Sequence, residues 1–171
     1  MSEIIIKAWA DADLPAIRHI TWDTWVQTYS PFIPVEDLRA YFDEHYSLEA
    51  LRAIVAAPED GGFVAIVDGM PAGFVRTHWE ESEKRFYVSS LYVLPEHQAH
   101  GLGGMLMAAA EEKAVKRQVG AIWLGVMEKN VRTLEWYKKQ GFQFVEEAPF
   151  KMGQSMVNHF IGYKKIQTDW R

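Results

Sequence analysis

The chain of 171 residues has the length of one domain, and 49% of its residues are hydrophobic, which is enough for a sizeable core. It contains no cysteine, so disulfide bonds, thiol nucleophiles and thiolate metal sites are excluded together. The net charge of −5 at pH 7 argues against a nucleic-acid partner, whose binding surface normally needs a basic patch.

Acidic residues are concentrated in two places. Residues 36–60 hold seven acidic and two basic side chains, and Glu80, Glu81 and Glu83 form a second cluster. Clusters of this kind are common on solvated surfaces. The functional interpretation is that they attract a cationic substrate.

The sequence indicates neither a membrane segment nor a second domain. No apolar run approaches the roughly 20 residues that a membrane-spanning helix needs, and residues 1–11 lack the basic start and the apolar stretch of a signal peptide. We therefore expect a cytoplasmic protein without a membrane partner. Because no internal repeat, low-complexity tract or linker is present, we expect residues 1–171 to form a single domain.

Hydrophobic periodicity predicts an α/β order of elements, with mixed strands first and a strand-helix-strand-helix core after them. An Asp68-Gly69 pair predicts a hairpin, and Gly120 is a candidate end for the central helix. The predicted elements are strands over 4–9, 63–67, 72–79, 86–94, 121–126, 142–145 and 156–166, and helices over 14–29, 35–46, 47–57, 102–120 and 130–140.

A glycine-rich turn joins the strand at 86–94 to the helix that begins at Leu102. The turn reads Gln98-Ala99-His100-Gly101-Leu102-Gly103-Gly104. A helix N-terminus has free N–H groups and a partial positive charge, and glycines let a ligand approach the backbone, so a pyrophosphate fits here. The alternative is that the glycines only allow tight packing of strand against helix.

Two motifs, in the same order and on the same element types, resemble the GNAT superfamily of N-acetyltransferases. Gln98-x-x-Gly101-x-Gly103 resembles the acyl-CoA pyrophosphate loop, and the second block is LGVMEKNVRTLEWYKKQGFQFV. The resemblance covers nearly the whole chain, and IWLGVMEKN, WYKKQGF and FKMG are similar to the PaiA-like branch. It implies a mixed central sheet with a splayed strand pair and flanking helices. It also implies acetyl-CoA as co-substrate and a small-molecule amine, favouring spermidine or spermine, as acceptor.

The resemblance assigns cofactor contacts to three places. The turn from Gln98 to Gly104 would hold the pyrophosphate, and the backbone of Leu91, Tyr92 and Val93 would pair with the pantetheine amides. Asn130 would contact the pantetheine arm, although an asparagine at this position can also cap its own helix.

Tyr137 is the candidate catalytic residue. The resemblance implies that it lies near the thioester sulfur, as part of the cofactor site, and protonates the departing thiolate. A phenol with a pKa of about 10 is protonated at neutral pH and can donate. The alternative is a core tyrosine on an amphipathic helix beside Leu134.

The sequence does not identify the general base. Some family members carry a glutamate on the central strand where this chain has Ser89 and Ser90, so we expect a water relay that ends at Glu44 or Glu80. The histidines at 78, 97, 100 and 159 lack metal-ligand spacing, and we expect no metal.

Carboxylates and aromatic faces are the groups that would receive a flexible polycation. The candidates for acceptor binding are Trp22, Tyr29, Tyr41, Asp43, Glu44, Trp79 and Glu80. Two alternatives remain: a GNAT enzyme that acts on an amino acid, a drug or a protein amine, and a non-catalytic acyl-CoA binding module. The sequence also leaves a homodimer open.

Overall fold

A computed structural model describes residues 1–58 and 60–167. The acidic residue Glu59 and the last four residues of the predicted domain lie outside this range. The elements are β1 (Ile4–Ala8), α1 (Leu14–Tyr29), α2 (Val35–His45), α3 (Leu48–Ala56), β2 (Asp60–Val67), β3 (Met70–Glu80), β4 (Arg85–Val93), α4 (Leu102–Lys116), β5 (Ala121–Met127), α5 (Val131–Lys139), β6 (Gln143–Met152) and β7 (Ser155–Lys165), with single 3-10 turns at Asp11–Asp13 and Pro95–His97.

The strands of the described residues form one mixed sheet in the order β1-β2-β3-β4-β5-β7-β6. Neighbouring strands are antiparallel except for β4 and β5, which are parallel because α4 crosses between them. These two strands pair only at Phe86 with Ile122 and Tyr87 with Trp123, and they separate beyond that point. The mixed α/β fold with a splayed central strand pair is therefore confirmed.

A β-bulge in β4 lies where the separation begins. Arg76 of β3 pairs with Ser90 and the next residue, Thr77, pairs with Val88, so Ser89 is an extra residue without a partner on β3. Bulges bend a strand and reverse which face its later side chains point to. Ser90 accordingly points to the opposite face of the sheet from Val88.

The two faces of the sheet carry separate cores. The front face, covered by α1, α2 and α3, buries an aromatic core that includes Trp25, Phe42 and Phe74. The back face, covered by α4 and α5, buries a core that includes Leu106 and Tyr137. The buried residues of α1 recur every three or four positions, which places them on one face of the helix, packed into the front core.

The ends of α4 and β6 differ from the sequence-based expectation. α4 ends at Lys116, before Gly120, because Gln118 adopts the left-handed conformation (φ 62°) that stops the helix. β6 continues to Met152, past its predicted end, since a tight turn at Gly153 and Gln154 leads straight into β7. β6 is an edge strand and most of its residues, including two glutamates, are exposed. Its sequence therefore lacks the apolar pattern by which a strand is recognised.

The predicted hairpin between β2 and β3 is confirmed. Asp68 and Gly69 both have positive φ angles, 49° and 82°, as a two-residue turn that matches the twist of the strands requires. Within the described residues, no helix is both long enough and apolar enough to cross a membrane.

Candidate active site

A cavity of about 450 Å³ opens where β4 and β5 separate. Both faces of the sheet contribute to its walls. Tyr41 and Tyr46 approach it from the front face, and Asn130, Thr133 and Tyr137 approach it from the back face. A ligand in this cavity can therefore contact residues from both faces of the sheet.

The outer half of β4 forms one wall of the cavity. Leu91, Tyr92 and Val93 all line it, and they pair with β3 on one side only, because the ladder with β5 has already ended. Backbone groups on the β5 side of this strand are thus available to a ligand. The structure places the three residues predicted to pair with pantetheine along this open edge.

The predicted phosphate turn lies between the end of β4 and the start of α4. Gln98 lines the cavity and donates from Nε2 to the Val93 carbonyl oxygen, 3.0 Å away, which ties the turn to the open edge. Ala99 and Gly101 have left-handed φ angles of 65° and 83°, and Ala99 and its neighbour His100 are exposed.

The N-terminus of α4 has no side-chain cap. The first N–H to donate within the helix is that of Met105, which donates to the Gly101 carbonyl at 3.1 Å. The N–H groups of Leu102, Gly103 and Gly104 precede it and carry the positive end of the helix dipole. This is the arrangement that a phosphate group requires.

The glycines of this turn differ in what surrounds them. A Cβ added at Gly101 or Gly104 would meet no atom within 4 Å, whereas one at Gly103 would lie 3.3 Å from the ring of Trp136. Gly103 therefore allows α4 to pack against α5, and Gly101 and Gly104 keep the helix N-terminus open. Packing therefore accounts for Gly103, whereas the space beside Gly101 and Gly104 is compatible with a phosphate ligand.

Tyr137 lies on α5 with only 6% of its surface exposed, and its ring packs edge-on against Phe142 with 5.5 Å between ring centroids. Burial raises the pKa of its phenol well above the ordinary value, and the phenol of Tyr29 across the cavity acts in the same direction. Tyr137 is thus a protonated donor at neutral pH, facing the cavity from the back face of the sheet.

A group of phenols lines the front side of the cavity. Burial raises the pKa of Tyr29 to about 12, against a hydrogen bond with Tyr92 that lowers it. The Tyr46 hydroxyl lies 2.6 Å from the Ser90 Oγ on the bulged part of β4. The phenols therefore make this wall polar at their hydroxyl groups without adding charge at neutral pH.

Asn130 lines the cavity immediately before α5. Its side chain makes no capping hydrogen bond, so the predicted helix-capping role is wrong. The reason is its backbone, whose ψ of 63° is not the extended conformation from which an N-cap side chain normally reaches back. The side chain faces the cavity instead.

The candidates for acceptor binding fall into two groups. Tyr29 and Tyr41 line the cavity, whereas Trp22, Asp43 and Glu44 of the helical face do not. Trp22 packs instead beneath the guanidinium of Arg39, 3.7 Å from its ring centre. Asp43 and Glu44 are exposed, and the Glu44 carboxylate lies 3.7 Å from the ring of His45, which does line the cavity.

Trp79 and Glu80 also lie outside the cavity, at the far end of β3. The Trp79 indole donates to Glu81 at 2.7 Å, and Glu80 accepts hydrogen bonds from the hydroxyl and backbone of Ser82. These hydrogen bonds are the main cause that lowers the pKa of Glu80. Both residues thus stabilise the hairpin between β3 and β4.

The polar residues of the cavity that were not among the sequence candidates include Thr24, His45, Arg76 and His159. Arg76 contacts Asp60 at 3.3 Å through Nη2, while its Nε, like the Oγ1 of Thr24, is buried without a hydrogen-bond partner in the described part of the chain. A charged residue inside an otherwise apolar strand was the available signal for Arg76.

No carboxylate lines the cavity among the described residues, and no group of three or more His, Asp or Glu side chains within 1–58 and 60–167 is arranged to hold a metal ion.

Residues 14–142 match the family model described as the Acetyltransferase (GNAT) family. An uncharacterized N-acetyltransferase of Archaeoglobus fulgidus is 32% identical over 138 residues, which are 74% of this chain and 89% of that protein. An uncharacterized N-acetyltransferase from the pepI 3′ region of Lactobacillus delbrueckii subsp. lactis is 24% identical over 97% of this chain and 99% of its own length.

Among solved structures, the PaiA N-acetyltransferase of Thermoplasma acidophilum in complex with coenzyme A has a TM-score of 0.83 against this chain. The alignment covers 95% of this chain and 99% of that one, at 22% sequence identity. At that identity the likeness establishes the shared fold.

Proposed function

The chain belongs to the GNAT family of N-acetyltransferases, and we propose that it transfers the acetyl group of acetyl-CoA directly to a primary amine of a polyamine such as spermidine. The observation that carries this proposal is the cavity between β4 and β5, which is open to both faces of the sheet. The coarser activity, acetyl transfer from acetyl-CoA to an amine, follows from the family.

Acetyl-CoA occupies the back half of the cavity in this proposal. Its pyrophosphate binds the free N–H groups at Leu102, Gly103 and Gly104, and its pantetheine arm pairs with the open edge of β4. Asn130 contacts the same arm from the start of α5. The thioester then lies between Tyr137 and the front half of the cavity.

The amine nitrogen attacks the thioester carbon from the front half. A C–N bond forms, the carbonyl oxygen becomes an oxyanion that backbone N–H groups of β4 stabilise, and the C–S bond breaks as the intermediate collapses. Tyr137 gives its proton to the departing sulfur. Its raised pKa suits this role, because the phenol keeps its proton until a strongly basic thiolate develops.

Two observations support a polyamine acceptor. The exposed carboxylates Asp43 and Glu44 lie on α2, and Glu44 sits beside His45 at the wall of the cavity, where a distal ammonium of a long amine can reach it. The aromatic faces of Tyr41 and Phe150 lie in the same part of the cavity, 5.5 Å apart, and attract cations. The resemblance to the PaiA-like branch points to the same acceptor class.

A second candidate acceptor is an amine that also carries a carboxylate, such as an amino acid or a peptide N-terminus. Arg76 favours it, because a guanidinium with a buried, unpartnered Nε lines a cavity without carboxylates. Arginine binds carboxylates through two parallel hydrogen bonds. Negative charge near the cavity would therefore favour a polyamine, and positive charge in it would favour an amine that carries a carboxylate.

A panel of amines with acetyl-CoA, at low and high ionic strength, tests the proposal. Thiol release reports the reaction cleanly, because the chain has no cysteine to react with the reagent. We expect spermidine and spermine to have a higher kcat/KM than lysine or an aminoglycoside, and added salt to weaken this preference. An amino acid or peptide that wins at both salt concentrations would replace the polyamine by the second candidate.

A further inference from the structure

His159 projects from β7 toward the front face of the sheet. Side chains alternate between the two faces along a strand. Phe160, the next residue, packs in the back core, and Val157, two residues earlier, packs in the front core, so His159 lies on the front face. The residue lines the cavity, on the face opposite Tyr137.

A hydrogen bond fixes the tautomer of this histidine. Nδ1 lies 2.7 Å from the carbonyl oxygen of Ala148 on β6. A carbonyl oxygen can only accept, so Nδ1 carries the hydrogen and Nε2 of the neutral ring holds a free lone pair. Nε2 has no hydrogen-bond partner within the described residues.

Gly125 on β5 makes room for the ring. A Cβ at Gly125 would lie 2.7 Å from Cδ2 of His159 and 3.3 Å from Nε2, so any larger residue would displace the imidazole. Gly125 itself lines the cavity on the strand that separates from β4. Because Gly125 has no side chain, the ring of His159 can place Nε2 near the gap between β4 and β5, where the thioester carbon is expected.

We propose that His159 is the general base of the reaction, a role that rests on the proposed acetyl transfer but not on which amine is the acceptor. The relay ends predicted from the sequence, Glu44 and Glu80, lie outside the cavity, whose described lining contains no carboxylate. His159 offers a lone pair inside it. Histidine is also the side chain whose ordinary titration range lies nearest neutral pH.

The proton balance assigns one step to each side of the sheet. The nitrogen of an alkylammonium carries three hydrogens and the amide nitrogen carries one, so two protons leave the nitrogen during the reaction. The first proton passes to Nε2 of His159 before attack and then leaves to solvent. The second leaves the nitrogen as the intermediate collapses, and it replaces the proton that Tyr137 gives to the sulfur of CoA.

Other ionisable groups line the cavity together with His159. Burial raises the pKa values of the phenols in this lining, namely Tyr29, Tyr41, Tyr46, Tyr87 and Tyr92. The guanidinium of Arg76 lines the same cavity. On the neighbouring strand β6, the Glu147 carboxylate accepts from Asn158 at 3.2 Å. His45 is therefore the group that a pH experiment must separate from His159.

His159→Asn is the decisive variant, because the asparagine amide can still donate to the Ala148 carbonyl but offers no base at the position of Nε2. We expect kcat to fall by about 10²-fold or more, within the range of general base catalysis, with unchanged affinity for acetyl-CoA by calorimetry. The rising limb of the kcat profile should move to higher pH, where the bound amine loses its proton unaided. His19→Asn, a change at an exposed histidine outside the cavity, serves as the matched control.

These measurements distinguish a failure of the proposed activity from a failure of the role of His159. Wild-type protein that acetylates no amine would contradict the proposed function itself. Wild-type activity together with a His159→Asn variant whose kcat and pH profile are unchanged would overturn the role of His159. A lower kcat in His159→Asn without a shift in the rising limb of the pH profile would show a structural role and would also overturn the proposal. The same holds if this limb shifts in His45→Asn and not in His159→Asn.

Discussion

The Tyr46 hydroxyl and the Ser90 Oγ lie 2.6 Å apart and are both almost fully buried, with 5% and 6% of each residue exposed. This contact joins the end of α2 to β4 immediately after the bulge at Ser89. It therefore connects the front wall of the cavity to the strand that forms the open edge.

Removing one partner of this contact should destabilise the protein. Tyr46→Phe leaves the Ser90 hydroxyl buried without a partner, and we expect the free energy of unfolding in urea to fall by about 1–3 kcal/mol. The double variant with Ser90→Ala should lose less than the sum of the two single changes, since neither group is then left unpaired. Additive losses would show that the contact contributes nothing of its own.

Tyr137→Phe should lower kcat by roughly 10²-fold with little change in the affinity for acetyl-CoA, because it keeps the packing against Phe142 and removes only the donor. Tyr163→Phe, which alters a tyrosine stacked on Trp123 away from the cavity, is the control. An effect limited to KM would assign Tyr137 to binding, and an unchanged kcat would remove it from catalysis.

Gly104→Glu should abolish coenzyme A binding while the protein stays folded. The added side chain meets no atom within 4 Å, and its charge stabilises the first turn of α4 but repels a pyrophosphate. Gly103 is less suitable, because a side chain there meets Trp136. Gly120→Glu adds the same charge in open space at the other end of the helix. Equal calorimetric affinity of the two variants would place the pyrophosphate elsewhere.

The two acceptor classes respond oppositely to charge changes around the cavity. Asp43→Lys together with Glu44→Lys should raise KM for spermidine more than for a simple monoamine, if these carboxylates attract the distal ammonium. Arg76→Gln should raise KM for a carboxylate-bearing amine and not for spermidine. If the KM for spermidine is the same in the double lysine variant as in the wild type, and the KM for an amino acid rises in Arg76→Gln, the acceptor is a carboxylate-bearing amine.

Asp37 should make stability fall in acid. Its carboxylate accepts hydrogen bonds from the Ser155 hydroxyl and the Gln154 backbone, and these lower its pKa. A carboxyl group whose pKa is lower in the folded state stabilises it above the unfolded-state pKa of about 4, and this contribution is lost as pH falls. The difference in unfolding free energy between wild type and Asp37→Asn should therefore shrink from pH 7 to pH 3. Asp43→Asn, at an exposed position of the same helix, is the matched control.

Much of the fold could be predicted because local patterns determined it. The helices, the Asp68-Gly69 hairpin and the order of elements along the chain follow from periodicity and turn residues. The separation of β4 and β5 came from the family resemblance and not from periodicity, since a strand pattern does not say where a neighbour stops pairing.

The acceptor side was harder to predict for two reasons. Tyr41 and His45 are four residues apart on α2 and so face the cavity together, whereas Asp43 and Glu44 point away from it. The prediction considered the charge of these residues but not their positions around the helix. His159 could not have been placed, because its role depends on Gly125, which is distant in sequence and becomes its neighbour only through the pairing of β5 with β7.

Residues of both faces of the sheet line the cavity, and this bears on whether both reactants can be bound at once. In the proposed complex coenzyme A lies on the side of α4 and α5 and the amine on the side of α2, so neither blocks the other. Both can be present in a ternary complex, and steady-state rates measured at several fixed amine concentrations should give intersecting double-reciprocal lines. Parallel lines, the sign of a ping-pong mechanism, would contradict the proposed direct transfer from coenzyme A to the amine.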